Sequence, residues 1–239
     1  MIRDIVKGMV PDKYHRRLYE AWNDYVSGWA SLHYSQFGED IIINYLLDNK
    51  YGGFFVDVGA FHPRHYSNTY FFYRRRKFQG INIEPNPDVI SLFRRMRPRD
   101  TNLNCGVGAE ISRLVYYKMQ DPLCNTFSQE YVQVCQARGV EVQQKLEVNV
   151  APLRDLLHTH VPKGREIDFL SVDVENFDLE VLQSMDWQSY RPKVVVVEDH
   201  EYTLSHPEAP SRIYSFLKDR DYSLKSVCAY SLIFLRNGA

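Results

Sequence analysis

The chain has 239 residues, a formal net charge of −1 and a sequence pI near 6.7, so it lacks the global positive field on which non-specific nucleic-acid binding rests. Hydrophobic residues make up 44% and charged residues 25%, the balance of a folded domain rather than of a disordered or fibrous chain. No apolar run approaches the roughly 20 residues needed to cross a bilayer, which excludes a transmembrane segment.

Lys7, Lys13, Arg16 and Arg17 are followed by no apolar core, so no secretory leader is expected. Cys105, Cys124, Cys135 and Cys228 form no CxxC pair and no zinc spacing, which reads as reduced thiols in a cytoplasmic protein.

Residues 1–34 stand apart as an aromatic-rich extension in which Leu18, Trp22, Tyr25, Val26 and Trp29 recur at helical spacing. The expected helix packs on the domain or on a second subunit, a route to a homo-oligomer. Glu20 and Asp24, interleaved with the apolar positions, argue against a membrane-surface helix. Residues 35–239 are read as the second domain.

There the pattern alternates between short apolar runs and helical stretches. SQFGEDIIINYLLDN predicts a helix, FFVDVGA the first strand, and 68–77 a helix with a solvated basic end at Arg74–Lys77. GINIEP is the second strand, 88–96 a helix, and TNLNCGVG the third strand. LVYYKM and VEVQQKLEVNVAPL are extra strands around a long segment from Gln120 to Arg138. A helix over 153–159 precedes IDFLSVDVE, the fourth strand. Then come a helix over 179–185, KVVVVEDHE as the fifth strand, a helix over 213–220, and two closing strands in DYSLKSVCAYSLIFLR. The expected fold is Rossmann-like α/β, a mostly parallel seven-stranded sheet with helices on both faces.

Three of these strands end in acids: Asp57 before Gly59, Glu84, and Asp173 with Glu175. In an open α/β sheet that end is where ligands bind. Glu84 follows the first glycine by about 25 residues, the spacing at which a carboxylate accepts ribose hydroxyls in dinucleotide folds. The turn itself does not suit a pyrophosphate. After Gly59 come Ala60, Phe61, His62 and Pro63, too bulky for a backbone phosphate cradle, and Asp57 would repel phosphate. An acid there suits an ammonium group. A ligand with a ribose, an ammonium and no phosphate is S-adenosylmethionine.

The stretches SQFGED (35–40), FFVDVGAFHP (54–63), SNTYFFY (67–73), GINIEPNP (80–87), NTFS (125–128), FLSVDVENFDLEVL (169–182) and PKVVVVEDHEY (192–202) together resemble the FkbM-like family of S-adenosylmethionine-dependent methyltransferases. The resemblance covers roughly 35–235 and implies a class I fold and methyl transfer to oxygen, commonly a hydroxyl of a sugar or a natural product. Asn176 departs from the family pattern, standing where a glycine is usual.

Cofactor contacts are expected from Gln36, Asp57, Gly59, Asn68, Glu84, Cys105 and Gly106. Helix capping competes for Asn68, a plain small-residue turn for Cys105 and Gly106, and simple packing for Phe127, which could instead wall the pocket. Asp173 and Glu175 share a face if the fourth strand runs through both. Two mechanisms follow for deprotonating the acceptor. His200 takes the proton, with Asp173 and Glu175 beside it, or Asp173, Glu198 and Asp199 hold a divalent cation, magnesium by its preference for oxygen ligands. The competing functions are a nicotinamide-dependent oxidoreductase, which the missing glycines disfavour, and a non-catalytic binding module in a biosynthetic complex.

Overall fold

A computed structural model describes residues 11–25, 30–202, 204, 205 and 211–239, in two units, 1–33 and 34–239. In the first unit a 3-10 turn at Asp12–Tyr14 runs into α1 (His15–Tyr25), which leaves Leu18, Tyr19 and Trp22 exposed. Val26 and Trp29, expected on the same helical stripe, lie outside the described residues.

The second unit opens with α2 (Glu39–Leu46), β1 (Phe54–Val58), α3 (Tyr70–Arg75), β2 (Gln79–Ile83), α4 (Pro87–Met96) and β3 (Thr101–Leu103). The central segment holds β4 (Gly106–Val107), β5 (Ser112–Met119), α5 (Gln129–Ala137), β6 (Val142–Ala151) and α6 (Leu153–His160). It closes with β7 (Phe169–Val172), α7 (Asp178–Gln183), β8 (Val194–Glu198), α8 (Arg212–Lys218), β9 (Tyr222–Cys228) and β10 (Ser231–Arg236). The main sheet has seven strands in the order β3-β2-β1-β7-β8-β10-β9, with β10 antiparallel to both neighbours. A smaller sheet has the order β4-β6-β5.

The near-continuous apolar strands follow from burial on both faces. Phe55, Phe169, Val196 and Ile233 pack under Ile43 of α2 and Phe72 of α3. The alternate residues Val56, Leu170, Val195 and Phe234 pack against Leu157 of α6, Val181 of α7 and Leu217 of α8. No helix among the described residues is long and apolar enough to cross a membrane.

The third strand predicted from TNLNCGVG divides in two. The Asn104 amide donates to the carbonyls of Glu84 and Pro85 at 3.1 and 2.8 Å, at the point where the chain leaves the main ladder. Gly106 and Val107 then pair with Val150 and Ala151 in the smaller sheet. The segment after Gln120, assigned no element from sequence, folds as a 3-10 turn at Pro122–Cys124 and α5. Ser128 caps that helix by accepting from Tyr131 N at 3.1 Å.

Gly59 sets how closely the ends of β1 and β7 approach. Its φ is +78°, and a Cβ built on it would overlap the backbone carbonyl of Asp173. Gly59→Ala should therefore cost at least about 2 kcal/mol, from left-handed strain plus the overlap. The drop in urea midpoint measures it, and a wild-type midpoint would refute the constraint.

Candidate active site

A cavity of about 820 Å³ opens where β1, β2, β7 and β8 end. Five carboxylates line it, Asp57, Glu84, Asp173, Glu175 and Glu198, against one arginine, Arg138.

On the β1–β2 side, the backbone donors of the turn are already taken. Gly59 N and Ala60 N both donate to Ile83 O, at 3.0 and 3.2 Å, and Phe61 N donates to Glu84 Oε2 at 3.1 Å. No group of N–H donors remains there to cradle a phosphate. Asn86 N donates to the other Glu84 oxygen at 2.8 Å. Burial pushes the Glu84 carboxyl up to about 7, partly offset by these donors and the neighbouring Tyr116 hydroxyl. A carboxylate has about four acceptor sites, so each oxygen can still accept a further bond.

Asp57 is oriented from behind. Thr69 Oγ1 donates to it at 2.8 Å, and Arg97 Nη1 donates to Thr69 Oγ1 at 2.8 Å. Arg97 is wholly buried, lies over the rings of Phe55, Tyr73 and Phe93, and forms an ion pair with Asp100 at 2.8 Å. Burial raises the Asp57 pKa while Thr69 and Arg97 pull it back.

On the β7–β8 side, the strand stops at Val172 instead of running through Glu175. Glu175 and Asn176 have φ of +53° and +73°, so the shared-face geometry expected of Asp173 and Glu175 does not apply. The turn brings Glu175 to Glu198 and His200, whose ligating atoms all lie within 4.8 Å of one another, the best placed of the described residues to hold a cation. His200 Nε2 lies 3.2 Å from Glu198 Oε2, at ion-pair distance but without hydrogen-bond alignment. Glu198 raises the His200 pKa above its ordinary value. Burial, with Glu198 next, lifts Glu175 to about 8 and Asp178 to about 7. Asp173 is open to the cavity yet surrounded by protein. That burial and then Glu198 and Glu175 drive its pKa well up.

Asp199 faces elsewhere. Its carboxylate accepts from Glu201 N, Tyr202 N and Ser211 Oγ, and it does not line the cavity. Gln36, Asn68, Cys105 and Gly106 do line it. Asn68 does not cap α3; Thr69 holds that position, and the Asn68 amide donates to Ser171 Oγ at 3.1 Å. Phe127 both packs on Tyr116, with centroids 5.0 Å apart, and lines the cavity. The basic run at Arg74–Lys77 ends α3 and does not line it.

Sequence reasoning missed Arg97, Thr69, Tyr116 and Tyr131. Tyr116 and Tyr131 sit in the central segment, which carries no strand-end signal.

The strand order, the antiparallel penultimate β10 and a cavity at the strand ends define a Rossmann-like methyltransferase fold. Residues 57–224 match the family model described as the methyltransferase FkbM domain, and the chain belongs to that family. No curated protein sequence matches the chain significantly.

The crowded carboxylates make ligand-free stability depend on pH. Glu84 and Glu175 have folded pKa values of about 7 and about 8, above their ordinary 4.5. Their contribution is fully present below about 4.5 and lost as pH rises through 7 to 8. Asp173 shifts in the same direction. Asp173→Asn should raise the Tm by a few degrees at about pH 9 and by little at about pH 4. Scanning calorimetry checks this, and equal shifts at both pH values would refute it.

Proposed function

We propose that the chain is an S-adenosylmethionine-dependent O-methyltransferase acting on a sugar hydroxyl of a saccharide, glycan or sugar-bearing natural product. The observation that carries the cofactor reading is the pairing of a turn without free N–H donors and a cavity lined by five carboxylates. That combination disfavours a dinucleotide, and with it a nicotinamide oxidoreductase, and favours a ligand bearing positive charge.

Gln36, Asp57, Gly59, Asn68, Glu84, Cys105 and Gly106 are the residues proposed to hold the cofactor. The remaining acceptor sites of Glu84 suit paired ribose hydroxyls, and Asp57, steadied by Thr69 and Arg97, suits an ammonium. When bound, S-adenosylmethionine supplies a methyl group activated by its sulfonium.

Removing the acceptor proton falls to His200. With Nε2 turned toward Glu198, Nδ1 is the nitrogen left to take a hydroxyl proton. Glu198 stabilises the imidazolium that results. Asp173 and Glu175 flank this dyad as acceptor-positioning groups. The aromatic wall of Tyr116, Phe127 and Tyr131 offers apolar faces to a sugar ring.

A second reading, a bound divalent cation such as magnesium, is supported by the proximity of Glu175, Glu198 and His200 rather than by Asp199. Full activity in EDTA would eliminate it, and loss restored by magnesium would favour it.

Calorimetry should show S-adenosylmethionine binding, weakened about tenfold or more by Glu84→Gln through lost charge-assisted bonds. Absence of binding at millimolar concentration would reject the cofactor reading. With an acceptor identified by labelled-methyl transfer, His200→Gln should lower kcat by about 100- to 10,000-fold. The kcat should rise with pH through a pKa above the ordinary 6.5 of histidine, because the base must be neutral. Glu198→Gln should move that limb to lower pH; an unmoved limb would remove His200 from the proton path.

A further inference from the structure

A second cavity, of about 680 Å³, lies at the opposite edge of the main sheet. The segment 158–167 leading into β7, the segment 189–193 leading into β8, and Arg236 at the end of β10 build it. Because β10 runs antiparallel, its last residues meet the first residues of β8. The four residues of β7 set this edge about 13 Å from the edge bearing the acidic cavity.

The charge here is reversed. Lys163, Arg165, Arg191, Lys193 and Arg236 line the cavity against one acid, Glu166, in a chain whose net charge is −1. Among the described residues, none of the five cations lies within ion-pair distance of a carboxylate. Two are instead fixed by neutral backbone. Arg191 Nη2 donates to Arg220 O at 2.8 Å, and Arg236 Nη1 donates to Arg191 O at 2.7 Å. A carbonyl holds a guanidinium in place without cancelling its charge. Arg191 Nε is also buried without a hydrogen bond. Pre-positioned, uncompensated cations around a concave space are what recognises a multiply charged oxyanion. The remaining lining includes Val161, Pro162, Ile167 and the half-buried Tyr190 ring, apolar surface beside the charge.

We propose that this cavity binds the diphosphate group of a small molecule, at a site separate from the methyl-transfer cavity. The oxygens pair with the arginine and lysine side chains, and an attached organic group packs on Tyr190 and Pro162.

The test is calorimetry on the full chain at low ionic strength with UDP, inorganic pyrophosphate and uridine as probes. UDP and pyrophosphate should bind and uridine should not, with affinity falling as salt rises from about 50 to about 500 mM. UDP tighter than pyrophosphate identifies a nucleotide as the source of the group; equal affinity identifies the free diphosphate. Lys163→Glu/Arg165→Glu, on exposed side chains, and Lys193→Glu should each weaken binding at least tenfold, whereas Asp173→Asn should leave it unchanged. The proposal is overturned if neither probe binds at about 1 mM, if uridine binds as well as UDP, or if both charge reversals leave affinity intact. Because S-adenosylmethionine binding is measured separately, failure here leaves the methyltransferase reading standing, and the reverse holds.

Discussion

Five carboxylates converge on one cavity, and the buried cation nearest to them acts only from behind. Arg97 reaches Asp57 through Thr69 and is itself paired with Asp100, so it steadies one acid of the five, while burial first and then Glu198 push the pKa of Asp173 and Glu175 up. The crowding is set by how closely the strand ends approach. Gly59 seats the end of β1 against the Asp173 carbonyl, and left-handed backbone at Glu175 and Asn176 turns the chain back toward Glu198. A fold that holds like charges together stores negative potential, which a cationic ligand lowers on binding.

The acids at the strand ends could be read from sequence because a buried parallel strand stops being apolar where it reaches the ligand edge. Asp57, Glu84 and Asp173 each follow an apolar run, and all three line the cavity. Reading failed where a strand ended earlier than its letters suggested. Past Val172 the two-residue alternation no longer governs direction, so Glu175 is placed by its turn. Past Glu198 the alternation still holds: Glu198 and His200 line the cavity, while Asp199 between them turns onto Glu201, Tyr202 and Ser211, so grouping it with Glu198 as a cation ligand failed.

Other features had no local signal. TNLNCGVG has strand character throughout, but periodicity does not say which sheet a strand joins. The break depends on Asn104 reaching Glu84 and Pro85, about twenty residues earlier in the chain. Arg97 sits in a basic stretch, RRMRPR, that carries no signal of burial. Its burial depends on Phe55, Tyr73 and Asp57, none of them near it in sequence. Asn176 is the exception, since its tolerance of left-handed backbone could be read from residue type and its φ is +73°.

The division of labour follows from where each wall comes from. The β1 end is fixed by sheet pairing on both sides, held between β2 and β7, so Asp57 has little freedom to move. The opposing wall comes from the smaller sheet and the segment that follows β5. Tyr117 and Thr126 pair backbone to backbone, and the Thr126 hydroxyl donates to the Glu175 carbonyl at 3.0 Å. Through that bond the central segment touches the turn that presents Glu175. Phe127, Tyr131 and Arg138 line the cavity from outside the main sheet. Under the proposed reading, acceptor choice resides in residues 116–138 and the chemistry in the strand ends. The Thr126–Glu175 bond is the seam between the two, tying the wall to the backbone of the turn that brings Glu175 to Glu198 and His200.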